Sequence, residues 1–306
     1  MIVFHKTVFD NNFQTMKSFY DQTERMVDKF LRIKRFFSGG TRMGMSRNKQ
    51  DYSIGFVGGG RITSILLEAW EKEGDLPGTI FVNDSNTDVL KALKAKHPAI
   101  ESSTETSKIT GCDVVFLALH PPAIAVVLSE IKGKLKPSAV LISLAPKWSI
   151  EKLMTGLSGF NRIVRIIPNA SSIVNEGYNP VTFSSAIKDN EKKDILRLFK
   201  AFGGCPEVEE DKLEAYAILC AMGPTYLWFQ MQKLRELGVS FGLTAKETDK
   251  ALYEMVKGAA KTLFKSGLAY DDVVNLIPVK PLADDEAVIL QAYEAKLKGL
   301  YEKLKE

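Results

Sequence analysis

Cysteine is scarce in this chain. Cys112, Cys205 and Cys220 are scattered through 306 residues and odd in number, which fits neither a disulfide framework nor a zinc cluster. Histidine is as rare, and His5, His97 and His120 show no ligand spacing, so no metal is expected. No apolar run reaches bilayer-spanning length, and the first residues hold no signal-peptide apolar core. Repeats and low-complexity tracts are missing too. These absences set aside secreted disulfide scaffolds, metal fingers and helical membrane proteins. They leave a globular protein with no membrane role, expected in a reducing cytoplasm.

Net charge is small, +4, and unevenly placed. Residues 1–50 carry ten Lys and Arg against four acids, so the rest of the chain sums to −2. A slightly acidic body lacks the basic face that nucleic acid needs, and no nucleic-acid partner is expected. Residues 13–37 show an amphipathic helical pattern, with Phe13, Met16, Phe19, Phe30 and Leu31 among its apolar positions. Residues 38–50 read as a polar, glycine-containing linker. The extension 1–50 reads either as a helix that docks on the body, a partner or an anionic surface, or as a dispensable leader.

What the chain does have is Ser-Ile-Gly-Phe-Val-Gly-Gly-Gly-Arg-Ile-Thr at 53–63. An apolar strand pattern enters a glycine cluster, and a helix pattern follows at once. This is the strand–turn–helix of a dinucleotide-binding unit. Gly58 permits the tight turn, and Gly60 lets a pyrophosphate approach the N–H groups at the helix N-terminus. The third glycine of the fingerprint is missing, and Thr63 stands there.

From residue 51 strand and helix patterns alternate. Strands are expected at 54–57, 79–83, 113–119, 139–144 and 161–167, with short edge strands at 179–184 and 207–209. Helices are expected at 61–73, 88–96, 123–132 and 150–157. The fold class is therefore α/β, a doubly wound Rossmann-type parallel sheet. After about residue 210 strand patterns vanish. Helices are expected at 212–221, 225–237, 245–265, 270–275 and 286–305, with Gly238 and Gly267 as C-terminal caps. The domains read as 1–50 (extension and linker), 51–209 (dinucleotide-binding domain) and 210–306 (all-α domain for dimerisation and substrate). Leu252, Met255, Val256, Ala259, Ala260 and Leu263 make too wide an apolar face for water, so a homodimer through the C-terminal helices is expected.

Five blocks in order carry a family resemblance: 54–62 (Ile-Gly-Phe-Val-Gly-Gly-Gly-Arg-Ile), 114–121 (Val-Val-Phe-Leu-Ala-Leu-His-Pro), Arg-Ile-Ile-Pro-Asn at 165–169 with Val-Asn-Glu-Gly at 174–177, Ala-Met-Gly-Pro-Thr-Tyr at 221–226, and Gly-Ala-Ala-Lys-Thr-Leu at 258–263. On these the chain resembles the pyrroline-5-carboxylate reductases. The resemblance implies hydride transfer from NADH or NADPH to the C=N bond of a small, cyclic imine. It also implies a helical domain interleaved between two subunits. There are departures. Cys220-Ala221-Met222 stands where the family has Ser-Gly-Ser, and Ile-Pro-Val-Lys-Pro-Leu-Ala-Asp at 277–284 replaces its Ser-Pro-Gly-Gly-Thr-Thr loop. His120 replaces a lysine. A reductase-like protein that binds dinucleotide without catalysis, as a sensor or scaffold, is the alternative reading.

Site residues follow from the turn, the strand ends and the matched blocks. Gly58, Gly60, Arg61 and Ile62 are expected at the pyrophosphate. Asn83, Asp84 and Ser85 end the second strand. Asp84 reads either as the acceptor for the adenine ribose hydroxyls, favouring NADH slightly over NADPH, or as a helix cap. Ala118, Leu119, His120, Pro121 and Ala145 end central strands, and Asn169 is expected at the nicotinamide amide. Met222, Gly223, Pro224 and Thr225 open a helix suited to a substrate carboxylate, with Glu176 as a further substrate contact. Tyr226, Thr225 and Lys280 are the polar candidates for catalysis. A basic imine nitrogen has little need of a strong general acid.

Overall fold

The computed structural model describes residues 52–305. What was expected of residues 1–50 lies outside the described residues. Five parallel pairings and one antiparallel pairing build a seven-stranded sheet. The strands are β1 (Ser53–Val57), β2 (Thr79–Asn83), β3 (Glu101–Ser103), β4 (Val114–Leu117), β5 (Val140–Ser143), β6 (Ile163–Ile166) and, after the short β7 (Gly177–Tyr178), the antiparallel edge β8 (Val181–Phe183). Their order is β3-β2-β1-β4-β5-β6-β8, the doubly wound topology, with the order reversing between β1 and β4.

Alternation along the strands fills both faces of the sheet. Phe56 and Phe116 stack at 4.6 Å on one face, where Trp70, Phe199 and Phe202 join them. Val57, Val115, Leu117, Leu141 and Ile163 pack on the other. All four residues of β4 are buried, as a central parallel strand requires. Helices α1 (Arg61–Lys72), α2 (Thr87–Lys96), α3 (Ser107–Thr110), α4 (Pro121–Ile131), α5 (Ile150–Gly156) and α6 (Asp189–Phe199) accompany the sheet. Trp70 of α1 is fully buried and its indole N–H donates to the Leu198 carbonyl of α6 at 2.9 Å. His97 braces α1 against α2. One ring nitrogen is hydrogen-bonded to the Ser64 hydroxyl (3.1 Å), and the other meets Glu71 (2.8 Å).

Several elements differ from expectation. The segment 207–209 makes only an isolated bridge, Val181 to Glu207, and the parallel partner of β7 is β9 (Gly203–Gly204). Helix α6 was hidden by its polar opening, Asp189 to Asp194. Its three buried residues, Ile195, Leu198 and Phe199, crowd one end. The helix expected at 212–221 is α7 (Leu213–Tyr216) followed by a π-helical turn (Ala217–Ala221).

Beyond it run α8 (Gly223–Ser240), α9 (Ala245–Lys265), α10 (Tyr270–Asn275) and α11 (Ala283–Lys305). Gly267 does follow α9 with φ of 78°. Gly238 is no cap. It lies inside α8, and a Cβ there would come within 2.6 Å of the Thr248 side chain on α9. The absent side chain serves close helix packing. Of the residues on α8 none is buried, and on α9 only Thr248 is. Phe229, Phe241 and Phe264 lie 66, 79 and 78 % exposed.

One buried charge joins the sheet to these helices. Arg165 on β6 is 2 % exposed and donates to Glu210 (2.8 Å) and to Glu214 on α7 (2.7 Å). Glu214→Ala leaves the guanidinium with half its counter-charge in a buried site. The expected cost is about 3 kcal/mol, read as a lower urea midpoint at unchanged m-value.

Candidate active site

The glycine turn sits where the sheet order reverses, and its geometry is tight on one side and open on the other. Gly58 has φ of 106°, and a Cβ there would lie 2.3 Å from the Ala118 carbonyl oxygen at the end of β4. Only glycine fits. Its N–H donates to the Asn83 carbonyl at 2.7 Å. Gly60 is the opposite case. A Cβ at this exposed residue would meet nothing within 4 Å, so the space above it is free. Thr63, in place of the third glycine, is fully buried and its hydroxyl donates to the Gly58 carbonyl at 2.6 Å. The substitution closes the turn from below.

Helix capping distinguishes this turn from those before α2 and α5. The N-termini of α2 and α5 are capped by the Asn86 and Ser149 side chains. That of α1 has no side-chain cap and no acid in its first turn. Its positive end, with Gly60, Arg61 and Ile62, faces outward, which fits the pyrophosphate of a dinucleotide. The start of α4 is similar: His120 precedes it, Pro121 opens it, and no side chain caps it.

Asp84 lies directly beside the turn. One carboxylate oxygen accepts from the Gly59 N–H (2.8 Å) and the other from the Asn86 N–H (2.9 Å). The cap of α2 is thus Asn86, and Asp84 ties the end of β2 to the glycine turn. That second duty of Asp84 had no signal in the sequence. Asn83 is buried, its amide donating to the Ser103 carbonyl at 3.2 Å, while Ser85 is exposed. Ala118 and Leu119 are half-buried at the end of β4, and Ala145 is buried after β5. Lys147, two residues on, holds φ of 71°, and its N–H donates to Glu214 at 3.3 Å.

The remaining candidates are not gathered in one place. Asn169 is buried, and its side-chain oxygen accepts from the Ser171 N–H (2.8 Å) while its amide donates to the Cys220 carbonyl (2.5 Å). It caps a 3-10 helix, Ala170–Val174, and the Cys220 carbonyl takes one of its two amide hydrogens. Thr225 donates to the Met222 carbonyl (2.6 Å) and Tyr226 to the Ile218 carbonyl (2.7 Å). The Tyr226 phenol is raised from its ordinary pKa, chiefly by burial and then by Tyr293. Gly223, Pro224 and Tyr226 line one groove with Leu227, Trp228 and Tyr293. Glu176 lines another with Trp228, Arg235 and Asp249, and Lys280 a third with Tyr270, Ile277 and Glu286. The described chain does not bring Lys280 to Tyr226.

The thiols are quiet. Burial pushes Cys112 up to about 11 and Cys205 up to about 12, and raises Cys220 as well. Burial thus disfavours the thiolate at each of them. Among the described residues no group of three or more His, Cys, Asp or Glu could hold a metal ion. No helix among them is long and apolar enough to cross a membrane.

Known proteins match this architecture. A family model described as NADP oxidoreductase, coenzyme F420-dependent, matches residues 53–147. The pyrroline-5-carboxylate reductase of Escherichia coli (strain K12) is 27% identical over 217 residues, which is 70% of this chain and 80% of that protein. The Methanosarcina acetivorans enzyme of the same name is 25% identical over 229 residues, 74% of this chain and 85% of its own. Among solved structures, the pyrroline-5-carboxylate reductase of Coxiella burnetii superposes with a TM-score of 0.61 at 26% identity, covering 85% of this chain and 95% of that one. The Plasmodium falciparum pyrroline carboxylate reductase with NADP bound gives 0.68 at 22% identity, covering 84% and 98%, a likeness of fold.

The open space at Gly60 makes a clean test. Gly60 has φ of −71°, which any residue accepts, so Gly60→Val should fold and melt like the parent. Its side chain would fill the pyrophosphate's place. Binding of both NADH and NADPH, read by tryptophan quenching, should fall at least a hundredfold. Retained binding would put the dinucleotide elsewhere.

Proposed function

We propose that this chain, a divergent relative of the pyrroline-5-carboxylate reductases, is an NAD(P)H-dependent reductase of a C=N bond in a small cyclic imine. The observation that carries the reading is the uncapped, unobstructed N-terminus of α1 at the reversal of a doubly wound sheet. The supporting comparisons match over most of the chain, including its helical part. That breadth favours an enzyme over a sensor or scaffold, which would need the turn alone.

In this reading residues 51–209 carry the dinucleotide. Gly58 holds the turn, the N–H groups of Gly60, Arg61 and Ile62 meet the pyrophosphate, and Asp84 meets the adenine ribose. Ala118, Leu119, His120, Pro121 and Ala145 border the nicotinamide. Reduced nicotinamide supplies a hydride to the imine carbon. The chain's own residues orient the two partners and exclude water. The nitrogen takes its proton from solvent or arrives protonated, because a cyclic imine is basic enough. Residues 210–306 supply the imine pocket at Met222, Gly223, Pro224 and Thr225, where the start of α8 attracts a carboxylate. They also supply the dimer. Glu176 lines the groove next to this point, with Trp228 and Met231 common to both, whereas Lys280 lines a separate one and meets it only if a second subunit contributes it.

Asp84 orients the cofactor choice. A carboxylate beside the ribose repels a 2′-phosphate by about 1–3 kcal/mol at moderate effective dielectric. NADH should therefore bind more tightly than NADPH, and the gap should close in Asp84→Asn, which keeps an acceptor for Gly59. The pocket orients the substrate choice. Cys220, Ala221 and Met222 present apolar surface where hydroxyl donors would discriminate. Pyrroline-5-carboxylate should be a poor substrate beside a more apolar cyclic imine, or one with an anionic group within reach of Lys280. NADH and NADPH oxidation across a panel of cyclic imines reads both expectations at once. A kcat near 1 per second or above with pyrroline-5-carboxylate would contradict the second.

The exposed apolar faces of α8, α9 and α11 exceed what a monomer leaves in water. A homodimer through these helices is expected, and the three scattered cysteines fit a reducing cytoplasm. Light scattering at micromolar concentration should give twice the chain mass.

A further inference from the structure

The sheet and the helical region meet at a π-helical turn, and two polar side chains hold it. In Ala217–Ala221 the helix widens, so that the Met222 N–H reaches back to the Ala217 carbonyl at 3.1 Å. A wide turn between two α-helices leaves carbonyls without their usual partners, and Pro224, four residues after Cys220, has no N–H to offer. Here the Ile218 carbonyl accepts from the Tyr226 hydroxyl at 2.7 Å, from one turn into α8. The Cys220 carbonyl accepts from the Asn169 amide at 2.5 Å, from the segment after β6.

Asn169 is fixed in its turn. It is 5 % exposed, its N–H donates to the Asn179 side chain at 2.7 Å, and its side-chain oxygen takes the Ser171 N–H. Asn179 is itself fully buried and donates to the Phe202 carbonyl at 2.9 Å. The chain of bonds thus runs from the core under the sheet through Asn179 and Asn169 to the π turn.

We propose that Asn169 and Tyr226 are positioning residues. They hold the π turn open and thereby set residues 222–225, the start of α8, against the carboxyl edge of the sheet. Neither touches the nicotinamide or the imine. The inference rests on the reductase reading for what lies at that edge. It assigns these two residues a different task from cofactor contact or acid catalysis. The chemistry at both carbonyls is specific. Each needs a donor, and a carboxylate or a phenyl ring supplies none.

The test uses the full-length protein with Asn169→Asp, Tyr226→Phe and the double variant. Dinucleotide affinity is read by tryptophan quenching, and amide exchange over residues 217–226 by mass spectrometry. KM and kcat are read with whichever cyclic imine the parent reduces. Each single variant should leave dinucleotide affinity within about twofold, speed amide exchange over 217–226, and raise the imine KM about tenfold with a smaller change in kcat. The double variant should fall short of the product of the two, because both act on one element. A tenfold loss of dinucleotide affinity in Asn169→Asp would show that Asn169 touches the cofactor, and would overturn the proposal. So would unchanged exchange over 217–226, or a loss in Tyr226→Phe confined to kcat. A parent that binds dinucleotide but reduces no imine would sink the reductase reading alone, since affinity and exchange still decide the role of Asn169. A parent that binds no dinucleotide would overturn both.

Discussion

Arg165 is the charge around which the rest of the architecture is arranged. It sits on β6 in strand register with the buried Ile163, and its guanidinium is 2 % exposed. A bare charge there would cost several kcal/mol, so the fold must bring it partners. Glu210 and Glu214 supply them, and both reach further. Glu210 also accepts from the Ile150 N–H at the start of α5 (2.7 Å), and Glu214 from the Lys147 N–H after β5 (3.3 Å). One guanidinium therefore fixes the last parallel strand, the loop that follows β5 and the first helix of the C-terminal region. The left-handed backbone of Lys147 is held by the same cluster.

From that joint the two halves of the site acquire their places. The proposed dinucleotide half is set by backbone space, with Gly58 too close to Ala118 for any side chain and open space where a Gly60 Cβ would be. The start of α8, the proposed substrate half, is tied by hydrogen bonds within the chain, through Asn169, the π turn and Tyr226. The uncapped start of α1 is the physical contrast. The helices after β2 and β5 meet their first N–H groups with Asn86 and Ser149, whereas α1, like α4, has no side-chain cap.

Sequence patterns carried much of this. The run 54–62 placed β1, the turn and α1, because a strand, a glycine cluster and an amphipathic helix leave no other local solution. The C-terminal helices 245–265 and 270–275 were equally plain from their periodicity. Less legible was α6, whose charged opening masks three core residues. Gly238 misled, since a glycine that admits a neighbouring helix looks like a glycine that ends one. Asp84 was found by its spacing from the turn, but its bond to Gly59 depends on how β2 lies beside β1. Asn169 was found as part of a block, yet its partners lie 10 and 51 residues away in the chain.

By itself the sequence determined the α/β class, the position of the glycine turn and the change to helices near residue 210. Each rests on local periodicity or on the backbone freedom of a single residue type. Only the tertiary structure decided what the polar side chains do. Thr63 closes a turn, Asp84 ties β2 to it, and Asn169 and Tyr226 satisfy carbonyls of a π turn. Lys280 lies in a groove apart from the candidate pocket. A hydrogen bond is short and directional, so its partner is set by where distant segments pack.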